Sequence, residues 1–299
     1  MMSGPVDTHN PGAVGAAVER VYWELFPDGD RGFVARALGW TIECFEGRYA
    51  DYQAVDARYH DLEHTLQGVL CLARLLAGRH RAGALPVLPR GLFELALLAM
   101  FLHDTGYLKK RDDRQGTGAK YTLTHVQRSA EFAGRFMAEQ GFAPTDIQAV
   151  QNMIRCTGVQ APLTTLRFQS EAEKTAGHAL ATADLLGQMA AADYVDKLPA
   201  LFAEFAEAAA FSGDRTSFVA SFSSAEDLLR RTPEFWETLV KPRLRHELGG
   251  LYRFLNDPYP DGPNEYLERI EANMTRLRQQ LATAGSSLET PDRPPAKPS

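Results

Sequence analysis

Three separated segments carry residue types that bind divalent metals. In RYHDLEHTLQ, His60 and His64 lie four apart and fall on one face if the segment is helical. Two imidazoles at that spacing can share a metal, or one can bind metal while the other faces a substrate. A half-exposed helix face gives the same pattern. In LALLAMFLHDTGY, His103 and Asp104 close the longest apolar run in the chain, Leu95 to Leu102. Imidazole and carboxylate both ligate divalent ions, and side by side at the end of a buried helix they can reach one point beyond it. A capping Asp beside a core histidine is the bland equivalent. In HALATADLLGQMAAADY, Asp184 is the only ionisable residue between Ala179 and Ala192. A carboxylate on such a small-residue helix is costly to bury unless it is paired, hydrogen-bonded or metal-bound; facing solvent is the other outcome. His125 shares a helical row with Ser129, Phe132 and Phe136 that should face inward. There it can be a further ligand, a substrate contact or a satisfied core histidine.

In chain order, His64, then His103–Asp104, then a lone Asp184 resembles the HD superfamily of metal-dependent phosphohydrolases, whose signature is H…HD…D across a helical bundle. YHDLEH is similar to the YHNxxxH-type element of class I cyclic-nucleotide phosphodiesterases, and ATADLL to their Asp-bearing helix. Asp61 stands where that element usually has Asn, and MIRCTGV lacks the further histidine of HD proteins with a fuller ligand set. The resemblance covers roughly residues 55 to 200. It implies His64, His103, Asp104 and Asp184 as ligands of one or two divalent ions (Mg, Mn, Zn or Fe), with Asp104 able to bridge to the second. It implies His60 as the proton donor and a small phosphorylated substrate, a nucleotide or cyclic nucleotide. His125 is expected in the same cleft, on a second ion or its water.

The chemistry suits these residues. A divalent ion polarises a phosphoryl oxygen and activates water, and a general acid protonates the leaving oxygen on the far side of phosphorus. His60 is expected one helical turn before His64, with Asp61 or Glu63 near enough to hold its ring, although solvent is the more natural direction for both. Lys109, Lys110, Arg111 and Lys120, in the loop after the HD pair, are expected to offset phosphate charge, although Asp112 and Asp113 share that loop. Gln188 has the right chemistry to grip a purine. GTGAK lacks P-loop spacing. A di-iron HD-type oxygenase and a non-hydrolytic ligand-binding HD module are the alternatives.

These residues must be held by helices, because apolar positions recur at three- and four-residue steps and no β-alternation persists. The expected fold is all-α, an HD-domain helical bundle with additional N- and C-terminal helices. Its parts are a flexible start (1–11), N-terminal helices (12–54), an HD metal-binding core (55–212), C-terminal helices packed on it (213–283) and a disordered tail (284–299). Helices are expected near 56–79, 91–103, 144–157, 176–196, 197–211, 224–231, 234–256 and 263–283, with a polar loop over 106–121. The net charge of −6, without a block of like charges, argues against binding duplex nucleic acid. The longest apolar run is far short of the roughly 20 residues that span a bilayer. The opening residues show no secretory pattern, and Cys44, Cys71 and Cys156 form no CxxC pair. A cytoplasmic protein with reduced thiols is the expectation.

Overall fold

The computed structural model describes residues 6–158 and 161–287, and among these it is all-helical, with one isolated bridge pair, Tyr52–Lys110, and no strand. Two helices, α1 (Pro11–Leu25) and α2 (Phe33–Phe45), open the chain. Pro11 needs no N–H at the first helical position, and the Asn10 side chain accepts from Ala13 N at 3.1 Å. Pro27 and Gly29 separate α1 from α2, with Asp30 accepting from Gly32 N. Residues 6–10 are tied down: Thr8 donates to Glu63 at 3.0 Å. The rest of the expected flexible start, residues 1–5, lies outside the described residues.

The middle of the molecule is built from α3 (Leu62–Arg81), α4 (Arg90–Leu102) and α7 (Glu171–Met189). α4 is apolar nearly all round, and Ala96 through Leu102 are all buried. It packs on α3, α7 and α6 (Pro144–Ile154), while α5 (His125–Glu139) pairs with α6. α3 and α7 touch backbone to backbone. A Cβ on Gly187 would stand 2.9 Å from the Gln67 carbonyl, so only glycine permits this approach. Asp184 lies one turn before Gly187 and His64 one turn before Gln67, so the close approach brings the two side chains together.

α3 begins later than expected, at Leu62. The Asp61 side chain caps it, accepting from His64 N at 2.9 Å. His60 therefore sits outside the helix, and the shared helix face expected for His60 and His64 is corrected. The expected loop over 106–121 holds two 3-10 turns, Thr105–Tyr107 and Gly118–Tyr121, and buries Tyr107, Leu108, Lys109 and Lys120.

The remaining helices are α8 (Tyr194–Ser212), α9 (Ala225–Phe235) and α10 (Glu265–Ser287). The single helix expected over 234–256 is instead α9 widening into π turns at Trp236–Val240 and Arg243–Glu247, then a 3-10 turn at Leu251–Leu255. Pro233 and Pro242 explain the widening, since each removes an N–H and crowds the carbonyl four residues back. Gly249 and Gly250, both at positive φ, end it. α9 packs on α8, and α10 on α7, α8 and α9. Asn273 of α10 donates to the carbonyls of Met189 and Ala191 at 2.9 and 2.8 Å, partners that the end of α7 lacks within its own helix. α10 runs through residue 287, four residues into the expected tail, and 288–299 lie outside the described residues. The three cysteines are buried and free. No helix among the described residues is long and apolar enough to cross a membrane.

Candidate metal centre

α3, α4 and α7 bring the three segments to one point. His64 Nε2 lies 3.2 Å from Asp104 Oδ2 and 3.4 Å from Asp184 Oδ1. His103 Nε2 lies 3.2 and 3.5 Å from the same two oxygens. Ligand atoms around one ion with bonds of about 2.0–2.2 Å stand about 2.8–3.6 Å apart, and His64, His103 and Asp104 form a group able to hold one, with Asp184 against both imidazoles. Two of them, His103 Nε2 and Asp104 Oδ2, are enclosed and make no hydrogen bond. Buried polar atoms are rarely left so, and a cation is the partner that satisfies an imidazole lone pair and a carboxylate together.

The local folding explains the aim of each ring. His103 follows the last residue of α4, where helix carbonyls lack partners. Its Nδ1 meets the Met100 carbonyl at 2.8 Å, which makes Nδ1 the protonated nitrogen and leaves Nε2 bare. His125 repeats the device one element later: Nδ1 meets the Thr122 carbonyl at 2.6 Å, and Nε2 points at Asp104 Oδ1, 3.9 Å away. Asp104 thus turns Oδ2 toward His64 and His103 and Oδ1 toward His125. A Cβ on Gly106 would stand 2.1 Å from the His125 carbonyl, so the glycine of HDTGY lets α5 start this close.

Without a metal, burial disfavours charge on His64, but Asp104 and Asp184 outweigh it and push its pKa up to about 9. Burial likewise opposes charge on His103, yet the same carboxylates carry it well above the usual range. Burial pulls Asp104 and Asp184 upward, and the two imidazoles drive both well below the carboxylate range. Burial holds His125 below its ordinary value, so it is neutral near pH 7.

His60 stands at the edge of this cluster. Its Nδ1 lies 2.6 Å from Glu204 Oε2, and Glu204 Oε1 accepts from Tyr59 N at 2.6 Å. Burial works against the Glu204 charge, but His60 and these backbone donors hold the carboxyl below its usual range. Glu204, on α8, was not anticipated. Asp61 and Glu63, the expected holders, are engaged elsewhere: Asp61 caps α3, and Glu63 binds Lys197, Gln67 and Thr8. Tyr107 stacks on His60 (4.5 Å between ring centres) and on His125 (4.9 Å), and its buried hydroxyl makes no hydrogen bond of good geometry. Gln188 lies beside the cluster, accepting from Tyr59 at 2.8 Å and donating to the Asp184 carbonyl at 3.1 Å.

A cavity of about 610 Å³ opens over the cluster, with His60, His64, Asp104, Tyr107, His125, Asp184 and Gln188 in its lining. The lysines expected to meet phosphate are not in it, and that expectation is corrected. Lys109 is buried on Asp56 (2.9 Å) and the Gly116 carbonyl, and Lys120 on Asp113 and the Gln115 carbonyl. Lys110 pairs with Asp51 at the surface, and Arg111 donates to the Gly47 carbonyl. They staple the 106–121 segment, because its own acidic residues and those of 51–56 lie within their reach. The cavity's cations are instead Arg155 and Arg231. A second acidic group, His9, Glu63 and Asp193, has Lys197 already paired with its two carboxylates.

A sequence profile described as Npun_R2479-like matches residues 49–256, more than two thirds of the chain and every residue of this site. No curated protein matches the sequence.

Proposed function

The chain belongs to the Npun_R2479-like family, and we propose that it is a metal-dependent phosphoester hydrolase of the HD type. The observation that carries this reading is the approach of His64 and His103 to Asp104 and Asp184, with His103 Nε2 and Asp104 Oδ2 buried and otherwise unsatisfied. A divalent ion held there supplies Lewis acidity to a phosphoryl oxygen and lowers the pKa of attacking water. The protein's own residues do the rest. Asp104 offers separate oxygens to the His64–His103 pair and to His125, so one carboxylate can serve two ions, with His125 on the second. His60 delivers a proton from Nε2 to the leaving oxygen, while Glu204 on Nδ1 orients the ring. Tyr107, stacked flat on His60, fixes the plane of that ring. Gln188 steadies Asp184 from the same helix. Three buried free thiols suit a reducing, cytoplasmic setting.

The test is metal analysis of the purified protein, followed by release of phosphate or alcohol from a panel of phosphate mono- and diesters, nucleotides included. At least one bound divalent ion, lost in His103→Ala together with hydrolysis, is the expected result. Stoichiometric iron with oxygen uptake and no ester cleavage would replace hydrolysis by oxygenase chemistry.

A further inference from the structure

The cavity has two unlike ends. Beyond the metal-ligating floor its wall is formed by Leu201 and Phe205 of α8, Phe218 and Phe222 of the connection that follows, and Leu228 and Phe235 of α9. The phenylalanines pack on one another, with Phe218 5.2 Å from Phe222 and 6.0 Å from Phe205 between ring centres. Yet Phe205, Phe218, Phe222 and Phe235 all remain half-exposed, and all line the cavity. Phenylalanines that pack together and still leave surface open into one cavity form a wall for an apolar guest.

Outside the wall the lining holds neutral polar groups such as Thr122, Thr157, Thr165 and Gln188, and two arginines. Arg231 donates to the Ser221 carbonyl, lies near Asp227 and covers the Phe222 ring. Arg155 is the one lining cation without an ion pair or hydrogen bond among the described residues. One such cation in the lining suits a single phosphate group and is too little for a polyphosphate. A base and ribose laid along this wall would leave their donors and acceptors facing phenylalanine and leucine, which is costly. An aliphatic chain has none to satisfy.

We propose that the substrate is a long-chain alkyl-type phosphate monoester, its phosphate at the His–Asp cluster and its chain along Phe205, Phe218 and Phe222. The inference rests on the hydrolase reading. Water attacks phosphorus, the bond from phosphorus to the chain oxygen breaks, and the His60 proton goes to that oxygen. The products are inorganic phosphate and a long-chain alcohol.

The experiment has two arms. With metal-loaded protein, kcat/KM is measured for ethyl, butyl, octyl and decyl phosphate, for geranyl phosphate and for nucleoside monophosphates, all below micelle-forming concentrations. The expected rise is roughly two- to fourfold per methylene until the wall is filled, with nucleotides below octyl phosphate. In Phe218→Asp the ratio of decyl to ethyl phosphate should fall at least about tenfold, a readout that a general loss of folded protein does not move. Geranyl against decyl phosphate tells a prenyl from a straight chain. A flat series, or a nucleotide preferred over decyl phosphate, overturns the proposal. The second arm titrates decanol and butanol into chelator-treated protein, where hydrolysis plays no part. If no ester is cleaved but decanol binds far more tightly than butanol, the reaction is misassigned while the apolar-chain specificity stands. Equal weak binding of both alcohols refutes the wall itself.

Discussion

The two ends of the cavity are built by different parts of the chain on different principles. The floor comes from α3, α4, α5 and α7, and its side chains are aimed by specific bonds: Met100 O on His103, Thr122 O on His125, Glu204 on His60. The wall comes from α8, α9 and the turn between them, and its residues are placed by packing alone. The floor can therefore do one kind of chemistry, and small errors in it are expensive. The wall can change size and shape by substitution while the carbonyls that aim His103 and His125 stay in place. If the floor is the hydrolytic centre proposed above, an exchangeable wall would let one scaffold serve different substrates.

The contrast is tested most severely at the floor. Asp104→Ala should lose bound metal and ester hydrolysis together, since this carboxylate faces His64, His103 and His125 at once. Metal content by mass spectrometry and turnover are the readouts, and full metal retention would break the picture. His60→Ala comes next. It should keep its metal and lose roughly 10²–10⁴-fold in turnover on alkyl phosphates, with a smaller loss on a nitrophenyl ester whose leaving group needs no proton. Loss of metal in step with activity would make His60 a ligand instead.

A third effect is a matter of pH. In metal-free protein the His64 pKa is raised from 6.5 to about 9, and His103 is raised as well. Their stabilising contribution is full below about 6.5 and fades as pH rises through about 9. The melting temperature of the metal-free protein should therefore fall over that interval, whereas the loaded protein, whose imidazoles are already deprotonated, should change little. Binding should also release protons at neutral pH. Identical profiles with and without metal would contradict the site. The smallest effect belongs to Lys110→Ala, which should leave kcat/KM within about twofold and stability within about 1 kcal/mol, as for an exposed ion pair. A large rise in KM would restore the phosphate role that its ion pair with Asp51 argues against.

The all-helical fold and the His–Asp cluster were legible because each left a local mark. The Leu95–Leu102 run announces a buried helix, and a His–Asp pair at its end offers an imidazole and a carboxylate to whatever lies beyond it. Asp184 stands out because nothing ionisable surrounds it. The misplacement of His60 has a physical cause: Asp61 is a capping residue, and a cap at that position moves the helix start past His60. Glu204 was hidden because Glu204 and Glu207 look alike in LFAEFAEAAA, while one holds His60 and the other holds Thr117. Lys109 and Lys120 misled because their partners, Asp56 and Asp113, cannot be matched to them without the fold. The wall left no mark, since Phe205 and Phe218 read in sequence like any other core residues.

α8 belongs to both ends. Leu201 and Phe205 line the wall, and Glu204, between them in sequence and on an adjoining face of the same turn, grips His60. A guest that presses on the wall leans on the piece of helix that steers the proton donor. Occupancy of the far end would then be felt as speed and not only as grip: chain length should register in kcat as well as in KM, and a stub of a substrate would meet an acid that is present but slack.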